Sequence, residues 1–230
     1  PVRPPVRLIV DHLLACAEHG VPVNKQVWEA LSQGAADPAL QKHRDKECLL
    51  VDGDGSRYRR PEEVFWNGPD FGGLRVLLGS ELSRYRPFFD AIGVKEQPDT
   101  DDAIGVLHEV AALETTGPVP DEVREGIHEA WVLMSSLAPE DDGQQIRVLS
   151  EERTALDREG ALCEPSRLFI EDRPRLVDKF GEDIRRRVIG FDPASVRALR
   201  VAGARDFSQV VSVLRLHGAN GDARPATALE

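Results

Sequence analysis

The sequence predicts an α+β fold, a helical N-terminal block followed by two related strand-turn-strand-helix units with a pair of helices between them. Three observations carry this. Apolar residues recur at helical spacing from Val6 to Glu18, and again after Thr100 and after Asp121. That period breaks at "CLLV", Cys48 to Val51, a continuous apolar run ending in Asp-Gly-Asp-Gly, the pattern of a buried strand entering a tight turn. Finally, an acid-Gly turn followed by Pro and then Phe occurs twice, in "DGSRYRRPEEVFW" and "EGALCEPSRLFI".

Residues 1–46 read as the helical block. A first helix places Leu8, Ile9, Leu13, Leu14 and Ala17 inward until Gly20 stops it. A second starts after Asn24 as N-cap and turns Val27, Trp28 and Leu31 inward, and a short third follows Asp37-Pro38, where Pro suits a first helical position. Residues 47–100 form the first α/β unit. Its return strand holds Tyr58, and Pro61 ends that strand and opens a helical turn at Glu62-Glu63. "NGPDFGG" reads as a mobile surface loop, after which two short helical stretches lead through Tyr85, Phe88 and Phe89 to Ile92-Gly93-Val94.

Residues 101–139 hold two helices expected to pack as an antiparallel pair. Thr100 or Asp101 caps the first, which carries Ile104, Leu107, Val110 and Ala111 on one face. Asp121 caps the second, with Val123, Ile127, Trp131, Leu133 and Met134 inward. Residues 140–216 form the second α/β unit, where "LRVAGARDFSQVVSVL" loosely echoes "FFDAIGVKEQPDTDDAIGVL". Residues 217–230 read as a disordered tail in which Leu229 and Glu230 have the look of a cloning scar; with Pro1 at the start, the chain reads as a piece of something longer.

Composition narrows the function. A chain of 230 residues can bury roughly 70% of its unfolded surface, ample for one large core or two small ones. The formal charge of -11 argues against a general nucleic-acid role, because phosphate binding is driven by Lys and Arg releasing counterions. No apolar run approaches the roughly 18 residues that span a bilayer and no signal segment opens the chain, so the expected setting is cytoplasmic, away from membranes. Cys16, Cys48 and Cys163 are odd in number and unpaired in spacing, which reads as buried free thiols.

Few groupings suggest chemistry. Asp52, Asp54, Ser56 and Glu63 fall at positions one, three, five and twelve of a calcium loop, but Arg57 occupies the sixth, where Gly is required, so the segment reads as a turn. His108-Glu109 and His128-Glu129 lack the His-Glu-x-x-His spacing that puts two ligands on one helix face, and His12 and His19 are too far apart for one metal. Glu96, Asp99, Asp101 and Asp102 suit a helix N-terminus. Ser80, Ser135 and Ser136 lack a Gly-x-Ser-x-Gly elbow, and "NGPDFGG" lacks the Lys-Ser/Thr end of a phosphate loop. The reading therefore names no catalytic residue, metal or cofactor.

Two candidate surfaces remain. Trp66, Phe71, Tyr85, Phe88 and Phe89 are the candidate partner surface, although such residues more often form core. Arg57, Arg59, Arg60, Arg84 and Arg86, close in sequence to Tyr58, Tyr85 and Trp66, are candidate phosphate contacts, with Arg185-Arg186-Arg187 a second group. Against this, 40 carboxylates are available to pair with them.

The succession "LLVDGDGSRYRRPEEVFW", "YRPFFDAIGV", "PDTDDAIGVL" and "GALCEPSRLFIEDRPRLVDKFG" resembles the repeat segments of sacsin-like and NO VEIN-like proteins, across residues 45–215. The shared motifs are structural. The resemblance implies a region downstream of an ATP-binding domain of the histidine-kinase and heat-shock-chaperone type. That ATP site needs a Glu-x-x-x-Asn helix and an Asp-x-Gly-x-Gly loop; Asp52-Gly53-Asp54-Gly55 misplaces the glycines, and no ATP-binding residue carries over. The implied role is a non-enzymatic scaffold or middle module whose partners are other domains of a parent protein, the upstream ATP-binding domain among them. Two other classes stand beside it. A nucleic-acid-contacting module of a defence or processing protein requires a contiguous basic strip, and an unrecognised enzyme requires a pocket enclosing His108, His128 or the Asp99 cluster.

Overall fold

A computed structural model describes residues 4–38, 40, 49–50, 58–113, 115, 117–137, 143–189 and 192–211. It is 55% helical and 10% strand, a mixture that belongs to the α+β class. The chain divides into two compact units, Pro1–Val106 with Pro120–Ala130, and Leu107–Val119 with Trp131–Glu230.

In the first unit, α1 (Val6–Glu18) ends before Gly20, whose φ of 64° turns the chain away as a residue with a Cβ would resist. Its buried side chains are Ile9, Val10, Leu13 and Cys16, and Leu8, expected inward, is 58% exposed. Ile9 and Leu13 are buried as expected and Leu14 and Ala17 half-buried, so the apolar set is wider than the face that packs and Leu8 falls at its edge. α2 (Lys25–Gln33) begins as expected, the Asn24 side chain accepting the Gln26 N–H at 3.0 Å, and buries Trp28 and Leu31.

β1 (Leu49–Leu50) pairs antiparallel with β2 (Tyr58–Arg59), Leu50 opposite Tyr58. The Asp-Gly-Asp-Gly turn lies outside the described residues. Pro61 opens a 3-10 turn, Pro61–Glu63, where its missing N–H costs nothing; the Glu63 carboxylate accepts the Arg60 N–H at 3.0 Å. Directly after it comes β3 (Val64–Phe65), parallel to β4 (Val76–Leu77) on one side and bridged from Phe65 to Lys95 on the other. Sequence reasoning missed both strands, because two residues hold no alternation to detect.

A 3-10 turn, Ser80–Tyr85, runs into α3 (Arg86–Ile92). Gly93, at φ 100°, ends that helix, and the Val94 N–H donates to the Phe89 carbonyl at 3.0 Å, which sends the chain straight to Lys95. α4 (Thr100–Ala111) follows; Ala103, Val106, Leu107 and Val110 are its buried residues, and Ile104 and Ala111 are half-buried. α5 (Asp121–Leu137) buries Ile127, Ala130, Trp131 and Met134, leaving Val123 and Leu133 half-buried.

In the second unit, Ser135 of α5 donates to the Ser195 carbonyl and accepts the Ala198 N–H, both at 2.9 Å. This fully satisfied hydroxyl ties α5 to α9 (Val196–Val201). Between them the chain forms α6 (Gln144–Arg147) with a following 3-10 turn, then β5 (Ala155–Leu156) antiparallel to β6 (Leu162–Cys163). The turn joining these strands is built by the Asp157 carboxylate, which accepts the N–H groups of Glu159 at 3.0 Å and Ala161 at 2.9 Å.

Pro165 opens a 3-10 turn, Pro165–Arg167, and β7 (Phe169–Ile170) follows between β8 (Val188–Ile189) and β9 (Arg205–Asp206), parallel to both. α7 (Pro174–Val177) and α8 (Glu182–Arg186) lie in the crossover to β8. Gly203, at φ 107°, ends α9, and the Ala204 N–H donates to the Leu199 carbonyl at 2.9 Å before the chain enters β9 and α10 (Phe207–Val210). Val177, Val188 and Phe207 form the local core, with Phe169 and Phe180 against it. Among the described residues, no helix is long and apolar enough to cross a membrane.

Candidate functional site

The aromatic set faces inward. Trp66, Phe71, Tyr85, Phe88 and Phe89 are buried, from 0% to 9% exposed, so they are core and offer no face to a partner. Their rings explain why. Trp66 and Trp28 each meet Phe89 edge-on at 5.6 and 6.0 Å, and Trp28 meets Tyr85 at 5.7 Å, the T-shaped geometry in which a ring edge approaches a π face.

Among the described arginines of these groups, Arg60, Arg84, Arg86, Arg185 and Arg186 are each engaged locally. Arg86 pairs with Glu96, lies 3.5 Å from Asp90, and stacks its guanidinium 5.2 Å above the Trp66 ring. Arg84 lies 4.8 Å over the Tyr85 ring, and Arg60 is 3.8 Å from Glu62. Arg59 sits half-buried on β2 opposite Leu49, and Arg57 lies outside the described residues. In the second group, Arg186 bonds Asp157 and Glu159, while Arg185 donates to the Phe180 and Asp178 carbonyls.

Of the acidic residues around the start of α4, Asp99 and Asp102 form its cap, with Asp99 rather than Thr100 or Asp101 the capping residue, while Glu96 bonds Asn67 and Arg86. Asp102 donates its N–H to the Asp99 carboxylate at 3.1 Å, and Asp99 donates its own to the Asp102 carboxylate at 2.8 Å. Lys95 Nζ joins both, 2.9 Å from Asp99 and 2.8 Å from Asp102. Burial pushes the Asp102 carboxyl up; Asp99, also raised by burial, is held below the ordinary range by Lys95 and the Asp102 N–H. His108 is 2.8 Å from Glu152. Burial pushes the Cys163 thiol up to about 12, which leaves it unreactive.

"NGPDFGG", expected to be a mobile surface loop, is wedged against α5. Phe71 is fully buried at φ 54°, a left-handed conformation that costs a Cβ-bearing residue energy, and Gly72 and Gly73 follow it at 64° and 82°. A Cβ on Gly72 would stand 1.9 Å from the Glu122 carbonyl oxygen, and one on Gly126 would stand 2.3 Å from that of Phe71. Backbone therefore lies on backbone, an approach open only to paired glycines. Asp70 closes the loop, its carbonyl accepting the Arg75 N–H at 2.9 Å. The Phe71 and Gly72 amides are directed at the Glu129 carboxyl, yet its Oε2 is buried without a hydrogen-bond partner. Sequence reasoning took Glu129 with His128 and overlooked Gly126. An isolated Gly inside a helical pattern was the signal, since such a residue usually answers to close packing.

A second feature lies between α1 and α2, a groove of about 270 Å³ lined by Pro4, Leu8, Ile9, His12, Gln26, Val27 and Ala30. Leu8, an exposed apolar residue of α1, is part of its wall. Among the described residues, no group of three or more His, Cys, Asp or Glu is arranged to hold a metal ion. Compared with known protein families, curated proteins and solved structures, the chain matches none.

Proposed function

We propose that this chain is a non-catalytic scaffold, a middle module of a larger sacsin-like, ATPase-linked chaperone-type protein, and that it mediates interdomain or protein-protein contacts. One observation carries the reading: residues 58–95 and residues 162–205 follow the same succession of elements. In each, a strand of an antiparallel pair meets a Pro-started 3-10 turn, then a strand flanked by parallel partners on both sides, and a helix ended by a left-handed Gly returns the chain to the outer partner. These are the segments that carry the resemblance in sequence. The engagement of Arg60, Arg86 and Arg186 by carboxylates, and the burial of the aromatic set, fit a part that supplies shape rather than chemistry.

The test is to read the parent open reading frame on both sides of this segment. The expected result is an upstream Glu-x-x-x-Asn helix with an Asp-x-Gly-x-Gly loop. A parent with neither motif would overturn the reading.

A further inference from the structure

The wedge between residues 67–73 and α5 contains a carboxyl group placed where its charge is poorly served. Glu129 Oε2 is buried with no hydrogen-bond partner, although an ionised carboxylate has lone pairs on both oxygens to satisfy. The Phe71 and Gly72 amides favour its charge. Two like charges oppose it, Asp70 from the loop and Glu125 from one turn earlier on α5. The other charged groups are Asp121 and Arg124 of α5, 3.5 Å from each other, Glu122 and His128 along the same helix, and Arg75 just past the loop, whose guanidinium bonds the Leu74 carbonyl. The loop itself is loaded, with Phe71 left-handed and its carbonyl pressed on Gly126.

We propose that this wedge is a proton-sensitive clasp: a proton on Glu129 tightens the docking of residues 67–73 on α5, and ionisation of Glu129 loosens it. The energetic direction agrees. Burial, followed by the charges of Asp70 and Glu125, pushes the Glu129 carboxyl above its ordinary value despite the two amides. A group whose pKa is higher in the docked state gives stability that is fully present below its free value, near 4.5, and lost as pH rises through the docked value. The loop is therefore held best in mild acid. The clasp does not depend on the scaffold reading, since it concerns only the first unit.

Amide hydrogen exchange at Phe71 and Gly72, followed by NMR from pH 4 to 8 on the whole chain and corrected for intrinsic rates, tests it. In the native chain, protection should fall as pH rises, by up to about tenfold for each pH unit that Glu129 stands above free glutamate. In Glu129→Gln it should be flat, because the amide keeps an acceptor and cannot titrate. Glu125→Gln should shift the native transition to lower pH. The carboxyl carbon of Glu129 in the native chain gives a measurement that needs no variant: it should titrate above free glutamate, with the Phe71 and Gly72 amide shifts following the same curve. Ordinary titration of Glu129, or protection at Phe71 that ignores pH, would overturn the clasp.

Discussion

In residues 58–95 the middle strand β3 is buried at both positions, Val64 and Phe65, whereas in residues 162–205 the equivalent Phe169 of β7 is half-buried beneath Arg205, whose guanidinium lies 5.7 Å from the ring. The crossovers differ as well. The first is the short glycine-rich wedge against α5, and the second is a longer stretch holding α7 and α8. What stays constant is the hardware that steers the backbone. Pro61 and Pro165 start their 3-10 turns, Gly93 and Gly203 take φ of 100° and 107°, and the bonds from Val94 to Phe89 and from Ala204 to Leu199 are 3.0 and 2.9 Å. Steering residues are few because each answers a geometric demand that one or two residue types can meet. The side chains that fill the space are free to differ.

The comparison breaks hardest at the middle strands. Phe65→Ala should cost about 3–5 kcal/mol of stability, since a fully buried ring leaves a cavity, while Phe169→Ala should cost clearly less. Parallel urea denaturations would decide it, and equal losses would mean that β7 is as enclosed as β3. Next come the helical glycines of the first unit. Gly126→Ala presses a methyl on the Phe71 carbonyl and should cost about 1–3 kcal/mol, the range for overpacking. Gly105→Ala, with nothing within 4 Å of its Cβ, should instead stabilise by roughly 0.5–1 kcal/mol through helix propensity. Thermal midpoints moving in opposite directions are the expected outcome.

The shared steering predicts equality. Gly93→Ala and Gly203→Ala should each cost about 1–2 kcal/mol from the forced left-handed backbone, and unequal losses would separate the two regions after all. The smallest contrast lies at the caps. Asp99→Ala removes a reciprocal cap and should cost about 1 kcal/mol. Asp206→Ala, which ends a pairing to Arg200 and no side-chain cap, should cost only a few tenths. A double-mutant denaturation series resolves that difference.

The helices were largely legible from the chain alone, because α1, α2 and α5 repeat an apolar period over several turns and Asn24 announces its own cap. Tyr58 on a return strand and Pro61 opening a turn were legible for a similar reason, each being a local demand. The wedge was not. "NGPDFGG" has the composition of a loose loop, and nothing local records that Gly126, more than fifty residues on, leaves room for it. The aromatic set was misplaced for the same reason, since residue type says that a ring is apolar and not which side of it meets Phe89.

By itself, then, the sequence determined what depends on neighbours along the chain: helix periods, the starts at Asn24 and Pro61, the stop at Gly20, and the recurrence of the acid-Gly, Pro and Phe spacing. Tertiary structure alone decided what depends on distant contacts: the strands β3 and β4, the partners that engage Arg86 and Arg186, and the burial of a carboxyl oxygen at Glu129. Local rules fix backbone angles within a few residues. Burial and charge pairing are sums over whatever the fold brings near, and those sums do not exist until the chain has closed on itself.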